Sequence, residues 1–338
     1  MTLLFDKHRR IVSPALAPTE LRDTDELDVS QEAADQVLTI GLVNNMPDSA
    51  LQATERQFIR LLKAAAGNHL IRFHCFSLPS VRRSEPAQQR VERQYTDIAE
   101  LGQLQMDGLI VTGAEPNAAT LPEEPFWLDL TDIIDWAKAN TRSTIWSCLA
   151  AHAAVLHLDG IERQRLDTKC SGVYDCARAN GHWLTEELPS SIKIAHSRYN
   201  GLRERDLAAR GYRLLTRSAE AGVDIFARSL QSHFIFFQGH PEYDALSLQR
   251  EYLRDISRYL TGEREHYPFV PRGYFDAATE QRLAALQRRA SVERRPELAA
   301  DIPDLGLRGD IAADSAATLI FRNWIRYLSD GTTTISPC

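Results

Sequence analysis

The first half of the chain alternates short apolar runs with segments of helical periodicity, and this alternation restricts the fold more than any other feature. The apolar runs are VLTIGLV (37–43), LIRFHCFSL (70–78), GLIVTGAEP (108–116) and STIWSC (143–148). Helical segments follow at 50–67, 125–140 and 149–158. Continuous apolar runs are typical of strands buried on both faces. Strands that alternate with helices predict a doubly wound α/β fold with a mostly parallel sheet.

The second half of the chain predicts a different arrangement. The stretch 211–244 predicts several short strands, antiparallel at the sheet edge, of which HFIFFQGH (233–240) has the strongest signal, and 245–262 predicts an amphipathic helix. The composition changes near residue 263, and an amphipathic helix closes the chain at 317–330. We therefore predict an N-terminal extension (1–36), an α/β domain (37–262) and a C-terminal extension (263–338) with an Arg-rich insertion near 273–312 and a docking helix.

Composition and charge exclude several classes of protein. The net charge of −7 argues against non-specific binding to nucleic acid. No stretch approaches the roughly 18 consecutive apolar residues of a membrane span, and the N-terminal apolar run is too short for a secretory signal. The cysteines are odd in number and lack the spacing of a disulfide framework or a zinc site; they are Cys75, Cys148, Cys170, Cys176 and Cys338. These features predict a cytoplasmic protein without a structural metal.

Cys148 lies at the junction between a predicted strand and an alanine-rich helix. The carboxyl ends of parallel strands form the ligand edge of such a sheet, and NNMPDS, TGAEPN and Cys148 all fall there. A nucleophile in a tight strand–helix turn faces its substrate together with the first helical N–H groups. A cysteine also packs well in any apolar setting, so its position alone fits a structural role too.

The sequence FQGHPEYD (237–244) supplies a base and a carboxylate for that cysteine. His240 follows a strand that ends in glycine, and Glu242 is two residues further on. A cysteine nucleophile needs an imidazole to take its proton, and the imidazole needs a carboxylate to fix its orientation. If the turn does not fold back, both residues are solvated instead. The chain has three rival bases, His152, His157 and His196.

Five segments carry a resemblance to a known family. In order along the chain, GLIVTGAEP, STIWSCLAAHAAVLHLDGI, KCSGVYDC, IKIAHSRYNGL and GHPEYDALSLQREYLRD resemble the homoserine O-acyltransferases of the amidotransferase-like type. The resemblance covers residues 37–262, and IFRNWIRYL near the end resembles the family's terminal helix. It implies a flavodoxin-like, class I glutamine amidotransferase-like fold, with a C-terminal helical extension. It also implies an enzyme of methionine biosynthesis, and a homodimer without bound cofactor, membrane or nucleic-acid partner.

The resemblance also implies a mechanism. The family's acyl-accepting cysteine matches Cys148, and its catalytic histidine and glutamate match His240 and Glu242. An acyl group would pass from succinyl-CoA or acetyl-CoA to Cys148 and then to the hydroxyl of L-homoserine, in a ping-pong reaction. Backbone N–H groups, including that of Leu149 at the helix start, would stabilise the oxyanion.

Further positions match the family's substrate-binding residues. Arg254 matches the arginine that holds the homoserine carboxylate, and Lys169 and Ser197 match residues of the substrate pocket. The choice of acyl group in the family depends on a loop position that falls on Asn117 here, with Glu115 nearby. Glycine at this position accompanies succinyl transfer and glutamate accompanies acetyl transfer. Asparagine leaves more room than glutamate and adds no charge, so it favours succinyl.

The sequence departs from the family after the first strand, where members commonly carry two lysines. Asp48 and Ser49 stand there instead, so a cationic contact is missing or comes from elsewhere. The altered loops leave L-serine or another hydroxy amino acid open as the acceptor. We expect the Arg-rich insertion to form a solvated helix. The alternatives are a cationic surface near the coenzyme A phosphates and an oligomer contact.

Two other classes of function use the same fold. A class I glutamine amidotransferase usually has glycines around its cysteine (G-x-C-x-G), and Ser147-Cys148-Leu149-Ala150 does not match this pattern. A non-catalytic binding protein would not need a cysteine, a histidine, a glutamate and an arginine at one edge of the sheet. The sequence therefore favours the acyltransferase.

Overall fold

The structure, a computed structural model, describes residues 10–12, 37–302, 305–307 and 314–330, without the side chains of 10–12 and 314. Most of the predicted N-terminal extension, part of the Arg-rich insertion and Cys338 lie outside the described residues. Within them, ten strands form one sheet. They are β1 (Arg10–Val12), β2 (Val37–Val43), β3 (Leu70–Phe76), β4 (Gly108–Val111), β5 (Ser143–Ser147), β6 (Gln164–Arg178), β7 (Ser191–Gly201), β8 (Arg213–Ser218), β9 (Gly222–Ser229) and β10 (His233–Phe237).

The described α-helices all follow β2 in the chain. They are α1 (Asp48–Ala65), α2 (Glu85–Gln94), α3 (Trp127–Asn140), α4 (Leu149–Asp159), α5 (Glu204–Ala208), α6 (Ser247–Leu260), α7 (Ala277–Val292) and α8 (Asp314–Ser329). Short 3-10 helices occupy Ile98–Gln103, Leu121–Glu123, Trp183–Thr185 and Pro296–Asp301.

The sheet has a parallel half and an antiparallel half. The strand order is β1-β3-β2-β4-β5-β10-β9-β8-β6-β7. Strands β3, β2, β4, β5 and β10 run parallel to their neighbours within this group. The predicted α/β fold is confirmed. The carboxyl ends of β2, β4, β5 and β10 share one edge, and that edge carries the candidate site.

Helices cover both faces of the parallel half, which explains the continuous apolar runs of its strands. Ile145 of β5 lies between Ile110 of β4 and Ile235 of β10, and all three are fully buried. Helices α1 and α8 pack on one face and α3 and α4 on the other. Trp324 of α8 is fully buried and donates a hydrogen bond to Ser143 Oγ at 3.0 Å. The predicted division of the chain into three parts stays a prediction.

The antiparallel half contains two long strands that the sequence pattern did not predict. Strands β6 and β7 pair with each other over most of their length, and few residues of β6 are buried. A strand with so little buried surface lacks the apolar signal on which prediction from sequence depends. The pair places side chains of β6 and β7 beside the carboxyl ends of the parallel strands.

The described part of the Arg-rich insertion contains α7, which is amphipathic rather than solvated all round. Leu283, Leu286 and Ala290 are buried in a cluster with residues of α6. Arg288 and Arg289 are exposed. The expected solvated helix is therefore wrong for one face of α7, since apolar residues at helical spacing pack on α6. Within the described residues, no helix is both long and apolar enough to cross a membrane.

Candidate active site

Cys148 occupies a strained turn between β5 and α4. Its φ and ψ are 52° and −110°, a backbone conformation that non-glycine residues rarely adopt and that often occurs at functional sites. The backbone N–H of Cys148 donates to the carbonyl of Phe237 in β10 at 2.7 Å. The alanines of α4 are buried, and their small size lets the helix pack closely on the sheet. The turn therefore presents a partly exposed thiol.

Leu149 is the first residue of α4, so its backbone N–H has no partner within the helix. The loop after β4 lies directly against it. A Cβ atom added to Gly113 would be 2.6 Å from Leu149 Cβ and 3.1 Å from Leu149 N. Only a glycine fits this close approach. Leu149 also lines the cavity that contains Cys148, so its N–H is a candidate donor to an oxyanion.

His240 and Glu242 form a buried hydrogen-bonded pair beside Cys148. Nδ1 of His240 lies 2.8 Å from Glu242 Oε1, and both His240 and Cys148 line the same cavity. Because Glu242 binds Nδ1, Nε2 is the ring nitrogen left for the sulfur. Burial opposes the charged imidazole, but the charges of Glu242 and Cys148 outweigh it and raise the pKa of His240 well above its ordinary value.

The three rival histidines do not reach Cys148 in this way. His152 is buried against a glutamine amide, and burial lowers its pKa to about 3. His157 is paired with an aspartate near the surface. His196 is fully buried beside another aspartate. The geometry favours His240 as the base.

A buried cluster near His240 has the donor types of a metal site. Within the described residues, Cys176, His196 and Asp224 place their ligand atoms within 4.8 Å of one another. Arg198 Nε donates to His196 Nδ1 at 3.3 Å, so a guanidinium lies against the cluster, and His196 Nε2 lies 3.3 Å from Asp224 Oδ1. Burial raises the pKa of the Cys176 thiol and keeps it protonated. A nearby guanidinium and a neutral thiol do not suit a cation. The absence of a structural metal stays a prediction.

The candidate residues line a cavity of about 820 Å³ that contains Cys148, His240 and Glu242. The other sequence-predicted site residues also line it; they are Leu149, Lys169, Ser197, Arg254, Asn117 and Glu115. Lys169 Nζ lies 3.0 Å from Asp255 Oδ2 and 3.8 Å from Glu251 Oε2. Arg254 donates to Asp255 Oδ1 at 3.0 Å. The antiparallel strands and α6 thus form a charged wall opposite the thiol.

Glu251 and Tyr243 belong to this wall and were not predicted from sequence. Ser197 Oγ donates to Glu251 Oε2, and Tyr243 Oη donates to Glu251 Oε1. The Tyr243 ring stacks on His240, with ring centroids 4.2 Å apart. The sequence did contain one signal for Glu251. It precedes Arg254 by three residues, and residues at this spacing are neighbours on one face of a helix. Through Tyr243, Glu251 therefore connects the charged wall to His240.

Glu124 forms hydrogen bonds with the backbone of the loop that carries the predicted acyl-specificity residues. The backbone N–H groups of Asn117 and Ala118 both donate to Glu124 Oε1 at 2.8 Å. The Asn117 side chain is exposed and donates to the Glu115 carbonyl. The Glu115 carboxylate pairs with Arg258 at 2.9 Å. Its charge is therefore engaged by α6.

A cation does occupy the loop where the family's lysines are replaced. Arg83 donates to the carbonyls of Asn44 and Met46 and lies 3.4 Å from Asp48 Oδ1. Its side chain is 1% exposed. The guanidinium is committed to the loop, so it is not available to a phosphate.

Comparison with known proteins agrees with this geometry. A sequence model described as homoserine O-succinyltransferase matches residues 24–335. The chain is 60% identical over 334 residues to a homoserine O-succinyltransferase from Bradyrhizobium japonicum, covering 98% of this chain and 100% of that protein. It is 57% identical to one from Rhodopseudomonas palustris, covering 96% and 98%.

The chain belongs to the homoserine O-succinyltransferase family. The sequence-based assignment to an amidotransferase-like acyltransferase of methionine biosynthesis is confirmed. A solved glutamine amidotransferase from Methylobacillus flagellatus matches with a TM-score of 0.50 and 17% identity, covering 90% of this chain and 99% of that one. That likeness shows the shared fold alone. The homoserine O-succinyltransferase family therefore accounts for both the fold and the sequence.

Proposed function

We propose that this chain transfers a succinyl group from succinyl-CoA to the hydroxyl of L-homoserine through an acyl-enzyme on Cys148. The series Cys148–His240–Glu242 carries this proposal: the thiol lies at a strained strand–helix turn, it interacts with His240, and His240 is hydrogen-bonded to Glu242. Membership of the homoserine O-succinyltransferase family supports the donor and the acceptor. The series is what nucleophilic catalysis by a thiol requires, namely a base next to the sulfur and a carboxylate behind the base.

In the first step, the Cys148 sulfur attacks the thioester carbonyl of succinyl-CoA. The proton of the thiol resides on His240, whose charged form Glu242 stabilises. The carbonyl oxygen becomes an oxyanion next to the Leu149 N–H. When the intermediate collapses, the bond to the coenzyme A sulfur breaks, and His240 gives its proton to that sulfur. Free coenzyme A leaves and a succinyl thioester remains on Cys148.

In the second step, the homoserine hydroxyl attacks the succinyl carbonyl. The neutral His240 takes the hydroxyl proton, and the bond between the carbonyl carbon and the Cys148 sulfur breaks. O-Succinylhomoserine leaves, and the enzyme regains the sulfur and proton with which it began. The Glu242 charge, which raises the pKa of His240, favours the protonated imidazole that forms in each step.

The charged wall supplies groups for both ends of the amino acid. The Arg254 guanidinium would bind the homoserine carboxylate, because its planar fork matches a carboxylate. Glu251 would accept hydrogen bonds from the homoserine ammonium, and Ser197 and Lys169 hold the Glu251 carboxylate in place. Arg254 and Glu251 both lie on α6, so one helix binds both charged groups of the amino acid. The side-chain hydroxyl then projects toward Cys148.

Intact mass of the purified protein tests the first half-reaction. Succinyl-CoA without acceptor should add one succinyl group to the wild type and none to Cys148→Ala. Parallel samples with acetyl-CoA identify the preferred donor. The adduct should disappear when L-homoserine is added and persist when L-serine is added. Absence of an adduct, together with absence of coenzyme A release in the presence of acceptor, would refute the proposal, and glutaminase activity would then be assayed.

We also propose that the protein works in the cytoplasm. Cys75, Cys148, Cys170 and Cys176 carry free thiols, which fits a reducing compartment. The predicted homodimer stays a prediction, and sedimentation of the purified protein would test it.

A further inference from the structure

The cavity that contains Cys148 is lined by both basic and acidic side chains. Among the described residues, five basic side chains line it: Arg163, Arg165, Lys169, Arg198 and Arg254. Four of these have evident partners. Lys169 and Arg254 pair with Asp255. Arg198 donates to the carbonyls of Asn200 and Ala221, and the Arg165 guanidinium lies 4.6 Å from the centre of the Tyr199 ring.

Arg163 differs from the other four cations. It makes no hydrogen bond, and no carboxylate of the described residues lies within the 4.0 Å of an ion pair. Its side chain is nevertheless half-buried in the cavity wall. None of its nitrogens is among the buried side-chain atoms that lack a partner, so its N–H groups are accessible and can bind an anionic group from outside the chain.

The backbone around Arg163 is firmly placed. Helix α4 ends at Gly160, which has a φ of 65°, and the next residue, Ile161, is buried and donates to the carbonyl of Val155. Strand β6 begins directly after Arg163. The helix that begins at Cys148 thus leads back to the same cavity. A rigid anchor on both sides limits where the guanidinium can go.

Burial lowers the pKa of Arg163, and the charge of Arg165 lowers it too, whereas interactions with Glu124 and Cys148 oppose this change. Glu124 is itself buried, and its Oε2 has no hydrogen-bond partner among the described residues. Glu124 forms no hydrogen bond or ion pair with Arg163 among the described residues, and Arg163 lines the same cavity as Cys148.

We propose that Arg163 binds the terminal carboxylate of the succinyl group while the succinyl carbonyl is at Cys148, and that this contact selects the succinyl donor. The inference rests on the proposed function. A guanidinium can bind a carboxylate through two parallel hydrogen bonds. A site built around such a group rejects an analogue that lacks the carboxylate, because its donors then stay unpaired. Asn117 and Glu115 shape the neighbouring loop, whereas Arg163 recognises the charge.

The test compares two donors of similar chain length in single-turnover acylation of Cys148. Butyryl-CoA has the four-carbon chain of succinyl-CoA without the carboxylate. In Arg163→Gln, the ratio of acylation rates, succinyl over butyryl, should fall by about 10- to 100-fold, the size expected for a charged hydrogen bond. In Arg163→Lys the ratio should fall less, because lysine retains the positive charge but lacks the paired N–H donors of the planar guanidinium. Butyryl transfer shows in each case that the variant is folded.

Arg165→Gln is the matched control, because it removes the same charge from the same cavity wall two residues away. It should change both donors by the same factor. An unchanged ratio in Arg163→Gln, or an equal loss with both donors, would overturn the inference while leaving the acyltransferase intact. Failure of the wild type to acylate with either donor would overturn the proposed function itself, and the inference with it.

Discussion

Nδ1 of His240 and Oε1 of Glu242 lie 2.8 Å apart, and both side chains are almost fully buried. The two residues are separated only by Pro241, so the turn folds the carboxylate back onto the ring. Burial removes water that would otherwise weaken the interaction between the charges. Glu242 therefore fixes the ring tautomer and stabilises the imidazolium, which determines how readily Cys148 gives up its proton.

Glu242→Gln should lower kcat by about 10²- to 10⁴-fold, because the amide preserves the shape but neither the charge nor the tautomer. The pKa of His240 should fall as well, since the Glu242 charge raises it. The pH dependence of single-turnover acylation measures both effects. A variant that retains the activity and the pH profile of the wild type would remove Glu242 from the catalytic series.

The close approach of Gly113 to Leu149 gives a test of the oxyanion donor. Gly113→Ala would place a Cβ atom 2.6 Å from Leu149 Cβ and displace the start of α4. We expect kcat to fall by about 10²- to 10³-fold with a smaller change in KM, because the donor acts in the transition state. Gly102→Ala is the control, since its Cβ would meet nothing within 4 Å. Equal kcat values in the two variants would contradict this role of the glycine.

Three histidines, two of them buried and one half-buried, should make the protein sensitive to acid. Burial lowers the pKa values of His152 and His182 to about 3 and that of His233 to about 4. A histidine that stays neutral when folded but binds a proton when unfolded destabilises the fold as pH falls below 6.5. The loss continues down to the folded pKa, at about 1.4 kcal/mol per pH unit for each histidine.

His182→Asn isolates one of these contributions, because asparagine can still accept the hydrogen bond that His182 takes from the Leu184 N–H. The free energy of unfolding in urea, measured from pH 7 to pH 4, should depend less steeply on pH in this variant. His266→Asn removes an exposed histidine and should leave the slope as it is. If the slope of His182→Asn equals that of the wild type, His182 binds its proton as readily in the folded state as in the unfolded state, and the prediction is wrong.

The juxtaposition of Cys148 and His240 could be predicted from sequence because both residues lie at strand ends. Cys148 follows β5 and His240 follows β10, and these are neighbouring parallel strands. Apolar runs reveal such strands, and the α/β topology brings their carboxyl ends together. For the charged wall, only the family resemblance pointed to Lys169, Ser197 and Arg254, and Glu251 was missed. Ser197 and Glu251 are 54 residues apart, and the strand pair β6–β7 that places Ser197 there was not predicted.

The missing lysines show a second limit. The sequence indicated that the loop after β2 carries Asp48 where the family commonly has a lysine. It did not indicate that Arg83, 35 residues away, would contact Asp48 in this loop. Arg163 was missed for a related reason. An arginine between a helix and a polar strand has no pattern that distinguishes it from a surface residue, and only the contacts of its neighbours in the cavity reveal it.

Arg254 separates the two half-reactions, because it is proposed to bind the acceptor and not the donor. In Arg254→Gln, succinylation of Cys148 without acceptor should proceed at the wild-type rate, whereas kcat/KM for L-homoserine should fall by about 10- to 100-fold through the loss of a charged hydrogen bond. The variant should fold, since Asp255 keeps Lys169 and Arg264 as partners. Arg250→Gln, an exposed position one turn earlier on α6, should change neither half-reaction. Stopped-flow acylation and steady-state kinetics measure the two steps separately. If Arg254→Gln slows succinylation as much as transfer to homoserine, the residue serves the donor or the fold, and the carboxylate of the acceptor must bind elsewhere on the charged wall.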